Sequence, residues 1–113
     1  MKGDAAGIGI SQVMPSPFSA GTPLQREYRD AMNASGTPTL SYGSMEGYVA
    51  AKIFTEALRK AGKLPTRERL IESLESYSPI DIKGYAVSFS PTNHNGSSFT
   101  EMTVLGTNQT LKH

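Results

Sequence analysis

Apolar residues along the chain change their spacing twice, and each change marks a new kind of element. In GIGISQVM, residues 7–14, they alternate, with Ile8, Ile10 and Val13 set to face inward, and the run stops at Pro15. A period of two with β-branched residues predicts a strand entering a loop. The loop PSPFSAGTP carries three prolines and a glycine, after which Leu24, Tyr28 and Met32 recur at every fourth residue. That spacing predicts a helix, with Thr22 as N-cap and Pro23 as first helical residue. Ser35-Gly36 and Pro38 end it.

A longer helix is predicted from Ser41 or Ser44 to Ala61, with Met45, Val49, Ile53, Ala57, Leu58 and Ala61 on one stripe and Glu56, Arg59 and Lys60 outside. Gly62 is its stop. After Pro65, Thr66 can cap a third helix, TRERLIESLESY, whose Leu70, Leu74 and Tyr77 form a narrow inner face. The period then returns to two. IDIKGYAVSFS gives a short strand, a turn at Gly84 and a second strand through Tyr85, Val87 and Phe89; PTNHNGSS turns into FTEMTVLG, where Met102 and Val104 alternate against Thr103. The order β, α, α, α, β, β, β is α/β or α+β in class, with about three helices and four short strands.

Composition narrows the picture mainly by exclusion. The 113 residues are 37% hydrophobic and 19% charged, with a formal net charge of +1. No apolar run approaches the roughly 18 to 20 residues of a bilayer-spanning helix. MKGDAAGIGIS lacks the apolar core and cleavage site of a signal peptide, so any export signal is expected outside this sequence. Near-neutral charge argues against nucleic acid as partner, which wants a concentrated basic face. Arg59, Lys60 and Lys63 sit near a helix end, where cations favour the negative end of the dipole. The absence of cysteine removes disulfides, thiolate nucleophiles and cysteine metal sites.

Several short segments, read in order, resemble the C-terminal part of type I periplasmic solute-binding proteins, the receptors of ABC transporters for branched-chain amino acids and related small acids and amides. The resemblance is carried by Gly7 with Ser11-Gln12-Val13 and Pro15, Tyr28-Arg29, Ser41-Tyr42 with Glu46-Gly47-Tyr48 and Ala50-Ala51, Ala61-Gly62, Thr66-Arg67, and Phe89-Ser90-Pro91 with His94 and Gly96. It runs from about Asp4 to Leu111. It implies a fragment of a two-lobed α/β fold: residues 1–36 as second-lobe strand and helix, 41–90 as first-lobe helices and strand, and 91–113 as a return strand. It also implies periplasmic location, an ABC permease as partner of the full-length protein, and a small-molecule solute (an amino acid, amide or aromatic acid) held between lobes. Leucine-type receptors carry an acid just before the glycine matching Gly7, where it pairs with the ligand's ammonium. Here that place is Ala6, which favours neutral amides or carboxylates.

The long helix also holds an interior glycine, Gly47, at a cost of about 0.5 to 1 kcal/mol relative to alanine. In a lobe of this kind the helix would lie against a sheet or another helix, and close backbone approach at Gly47 would offset that cost; a tolerated surface glycine is the other reading. Glu46 beside it reads as a first-turn acid favoured by the helix dipole.

For chemistry, the loop MPSPFSAG is the ligand-facing candidate, because α/β folds place binding crevices beyond strand ends. Met14 and Phe18 would offer apolar contact, with Tyr42 near the second crossing; Phe18 could equally plug the core beneath its loop. No catalytic residue is expected: G-x-S-x-G, Walker and H-E-x-x-H patterns are missing, and the glycines of GDAAGIGIS precede a strand instead of opening a helix. His94, the one internal histidine, lies in a polar turn with neither ligand spacing nor a carboxylate nearby in sequence, so no metal and no cofactor are expected. The rival to a solute receptor is a structural domain that self-associates, and the isolated fragment is expected to be a homo-oligomer because its strand edges and the faces around Tyr48, Phe54 and Tyr77 would lack their partners.

Overall fold

The computed structural model describes residues 5–36, 39–77, 79–107 and 111–112. They form β1 (Gly9–Gln12), α1 (Pro23–Ala34), α2 (Tyr42–Ala61), α3 (Arg67–Ser76), β2 (Ile80–Asp81), β3 (Ala86–Val87), β4 (Glu101–Leu105) and β5 (Leu111–Lys112). The three helices stand where the spacing placed them, and β5 adds a strand the apolar pattern did not signal. Pro38, expected to help end α1, lies outside the described residues.

Local chemistry sets the helix boundaries. Thr22, Ser41 and Thr66 are all N-caps, their hydroxyls accepting from the amides of Gln25, Ser44 and Arg69. In α1 and α2 the bond is returned, since the Gln25 and Ser44 side chains accept from the cap amides. Each such box satisfies two amides that the helix itself leaves without partners, a contribution of about 1 kcal/mol. α2 stops at Gly62, whose φ of 92° lies in the left-handed region that favours glycine.

The chain forms two compact units. One holds residues 16–98 and the other residues 1–15 with 99–113. In the helical unit Leu24 and Tyr28 of α1, Met45, Val49 and Ala57 of α2, and Ile80, Ile82, Tyr85 and Val87 of the β2–β3 hairpin make the core. Ile53, Leu58 and Ala61 of the predicted α2 stripe are half-buried at its margin. α3 departs from expectation: Leu70 and Leu74 are half-buried and Tyr77 is exposed, while the inward position is Ser73. A small side chain there lets α2 come close enough for the Ser73 hydroxyl to donate to the Ala57 carbonyl at 2.8 Å.

In the other unit β4 pairs antiparallel with both β1 and β5, in the order β1-β4-β5. Gly9 faces Val104 and Ile10 faces Thr103, and the ladder continues through Gly7 N to the Leu105 carbonyl. The predicted alternation is present in parity but reversed in burial. Ile8, Ile10, Val13, Met102 and Val104 are exposed, and Thr103 is fully buried, its hydroxyl donating to the Ile10 carbonyl. By the register Ile8 and Ile10 share a face with Thr103, while Met102 and Val104 lie on the opposite face with Gly9 and Ser11, and the described residues of this unit include no helix.

Gly47 also departs from the expected close approach. A Cβ placed there meets nothing within 4 Å, so within this chain it is the tolerated surface glycine. Among the described residues no helix is long and apolar enough to cross a membrane.

Candidate functional site

The loop after β1 is held from beneath. Ser16 and Pro17 are buried, and the Gln25 side-chain amide, itself buried, donates to the Ser16 carbonyl at 2.9 Å. Arg26 donates to the Ala20 carbonyl at 2.9 Å, and the Gly21 amide donates to the Ser19 hydroxyl. The first turn of α1 thus clamps both ends of the loop. Its middle residue, Phe18, points away from the core and is 52% exposed.

Phe18 meets Tyr42, the first residue of α2. Their ring centroids lie 6.2 Å apart and their planes cross at 81°, the edge-to-face arrangement that aromatic quadrupoles favour. The α2 start is fixed in turn by a hydroxyl cluster: Tyr28 Oη and Ser44 Oγ lie 2.6 Å apart, and the Ser41 amide donates to Tyr28 Oη. Two predicted site residues are therefore brought together on rigid supports, and Phe18 does not plug the core. The third, Met14, belongs to the strand unit and is half-buried there. A pinned aromatic corner, with Phe18 exposed and Tyr42 half-buried, would offer a flat apolar ligand a surface already ordered, which lowers the entropy lost on binding.

Two other clusters lie in the helical unit. Glu27 of α1 accepts from the Tyr48 hydroxyl at 2.7 Å and pairs with the ammonium groups of Lys52 and Lys83. The lysine contacts, followed by the tyrosine hydroxyl, hold its carboxyl down at about 2. Burial, then the bond to Glu27, pushes the Tyr48 phenol up to about 12. Elsewhere His94 and Glu75 approach at 3.0 Å. The histidine therefore has a carboxylate partner 19 residues away that its sequence neighbourhood did not disclose. Sequence reasoning missed the Glu27 cluster as well, because its members come from α1, α2 and the hairpin turn, and no local motif joins them. Glu46 is exposed on α2. Among the described residues no group of three metal-ligating side chains converges.

Comparison with known proteins bears on all of this. The family model for periplasmic binding protein matches residues 1–108. Among curated proteins none matches the chain. Among solved structures the chain is similar to an extracellular ligand-binding receptor from Verminephrobacter eiseniae, at 28% identity and a TM-score of 0.86 over 96% of this chain and 31% of that one. It is similar also to a substrate-binding periplasmic protein from Ralstonia solanacearum, at 36% identity and a TM-score of 0.78 over 91% of this chain and 30% of that one. A third is a possible leucine/isoleucine/valine-binding protein from Rhodopirellula baltica, at 30% identity and a TM-score of 0.82 over 96% of this chain and 30% of that one. The chain thus spans about a third of the length of each of these structures.

Proposed function

Since this chain belongs to the periplasmic binding protein family, we propose that it is the C-terminal portion of a solute receptor serving an ABC-type uptake system. The family is one of solute-binding receptors, generally without catalysis, and it implies a periplasmic or extracellular location. On this reading the helix α1 with the strand before it belongs to a second lobe, residues 41–90 to the first, and residues 91–113 to a return crossing. Closure of the lobes on a solute would present the closed form to a permease.

The observation that carries the ligand assignment is the pinned Phe18–Tyr42 corner. It suits the planar or branched apolar part of a small carboxylate, amide or amino acid. Ala6, where leucine-type receptors carry an acid, leaves an ammonium without that partner and favours neutral amides and carboxylates.

Binding by this chain alone should be weak, because about a third of a two-lobed receptor supplies only part of the contact around a solute. Calorimetry and NMR titration with branched-chain amino acids, small amides and aromatic acids test it. The expected result is millimolar or weaker binding, with shifts centred on Phe18 and Tyr42 that Phe18→Ala abolishes. Micromolar affinity, about 8 kcal/mol, would mean a complete site and overturn the partial-receptor reading. Shifts that leave both rings untouched would overturn the ligand assignment, and steady turnover of a substrate would overturn a receptor without catalysis.

A further inference from the structure

Away from the aromatic corner, from the groove between α2 and the β2–β3 turn, we infer a second site: a small oxyanion, carboxylate or phosphate, held between the ammonium groups of Lys52 and Lys83. The groove has a volume of about 390 Å³ and is lined by Tyr48, Lys52, Thr55, Arg59, Asp81 and Lys83 among others. Both lysines converge on one carboxylate, Glu27, from elements 25 and 56 residues away from it. One negative charge thus faces two positive ones. An ammonium carries three N–H donors, Glu27 occupies one on each lysine, and both lysines line the groove.

The support for this geometry is unusually firm for a surface cluster. Lys52 is largely covered, with 28% of its side chain exposed, and sits 5.7 Å from the centroid of the Tyr48 ring. Lys83 is presented by a two-residue hairpin turn in which both Lys83, at φ 51°, and Gly84, at φ 100°, take left-handed backbone. Asparagine or glycine is the usual occupant of the first of those positions. A lysine there accepts local strain and gains reach into the groove. Glu27 stays ionised at any ordinary pH, so the two ammonium groups remain in place when the groove is empty.

The remaining charges set the strength. Arg59 is engaged by Glu56 at 2.6 Å, and Asp81 accepts from the Gly84 amide at 2.9 Å. Lys52, Lys83 and Arg59 against Glu27, Glu56 and Asp81 sum to zero, so no net field draws the anion and only weak, millimolar binding through the ammonium donors is expected.

The test is NMR titration of the isotopically labelled 113-residue chain with sodium phosphate, sodium acetate or sodium chloride at matched ionic strength, following the amides of Thr55, Lys83 and Gly84. Saturating shifts with phosphate or acetate at low millimolar half-points, against a linear chloride response, are expected; the tighter of the two anions names the source. Lys52→Met and Lys83→Met should each weaken binding at least fivefold. Glu27→Gln should tighten it severalfold, because the anion no longer competes with a resident carboxylate. Phosphate and acetate responses that merely match chloride would overturn the site, as would tightening by Glu27→Gln that persists when both lysines are replaced. Because the monitored amides are remote in sequence from Phe18 and Tyr42, failure here leaves the solute reading intact, and failure of that reading leaves this one.

Discussion

Replacing Gly47 by alanine should stabilise the chain. Gly47 lies six residues into the 20-residue α2, and a Cβ built there has open space around it. Neither steric cost nor lost contact opposes the change, so the conformational term acts alone: about 0.5–1 kcal/mol in favour of alanine. For a chain of this size that corresponds to a rise in Tm of roughly 2–6 °C. Thermal unfolding followed by circular dichroism at 222 nm, with urea unfolding as a second probe, measures it. Gly62→Ala is the internal control. Space is equally open there, but φ is 92°, so the same methyl group should destabilise by about 1 kcal/mol or more. If Gly47→Ala leaves Tm unchanged or lowers it, α2 is covered in solution by something outside this chain or by another copy of it. The reasoning from open space would then be refuted.

Acid titration should reveal the Glu27 cluster. Its folded carboxyl is held at about 2, below the ordinary value of 4.5, so its stabilisation is complete above that ordinary value and is lost as pH falls from about 4.5 to 2. Glu27→Gln should flatten the stability curve in this window and cost about 1 kcal/mol at neutral pH, the partial exposure of the group limiting the loss; an unchanged acid limb in chemical denaturation would contradict it. Lys83→Asn should be nearly neutral in unfolding experiments, within about 0.5 kcal/mol, since relief of the left-handed lysine offsets a surface ion pair. A loss above about 2 kcal/mol would show the pair to be structural. The exposed apolar side chains of β1 and β4 should promote self-association, read by light scattering coupled to size exclusion; a mass near 12 kDa at all concentrations would count against it.

What the sequence disclosed, and what it concealed, follows the range of each interaction. The N-caps Thr22, Ser41 and Thr66 were legible because cap and partner lie three residues apart. The α2 stripe was legible because 3.6-residue periodicity survives any tertiary arrangement. Ser73 was not: apolar spacing ranks leucine over serine, whereas the close approach at Ala57 demands a small residue with a hydrogen bond to give. Ile8 and Ile10 misled for a related reason, since alternation reveals which side of a strand is apolar and not whether another layer covers it. The proximity of Phe18 and Tyr42 rests on loop chemistry around Ser16 and Gln25, and their candidacy was readable while their edge-to-face contact was not. Glu27 carried no signal at all, because an isolated glutamate in α1 looks like any solvated helix acid until two distant lysines arrive.

The antiparallel pairing of β1 with β4 imposes an order of events on biosynthesis. β1 leaves the ribosome well before β4, and the residue that bonds its Ile10 carbonyl follows 93 residues later. At roughly 5–20 residues per second, that strand waits some 5–20 seconds for its β4 partner. Residues 16–98 form a continuous compact unit and can condense during the interval, whereas the three-stranded sheet is closed by a long-range contact that arrives only after them. Until then β1 lacks its β4 partner, and an edge left open in that way is one through which two copies could exchange strands.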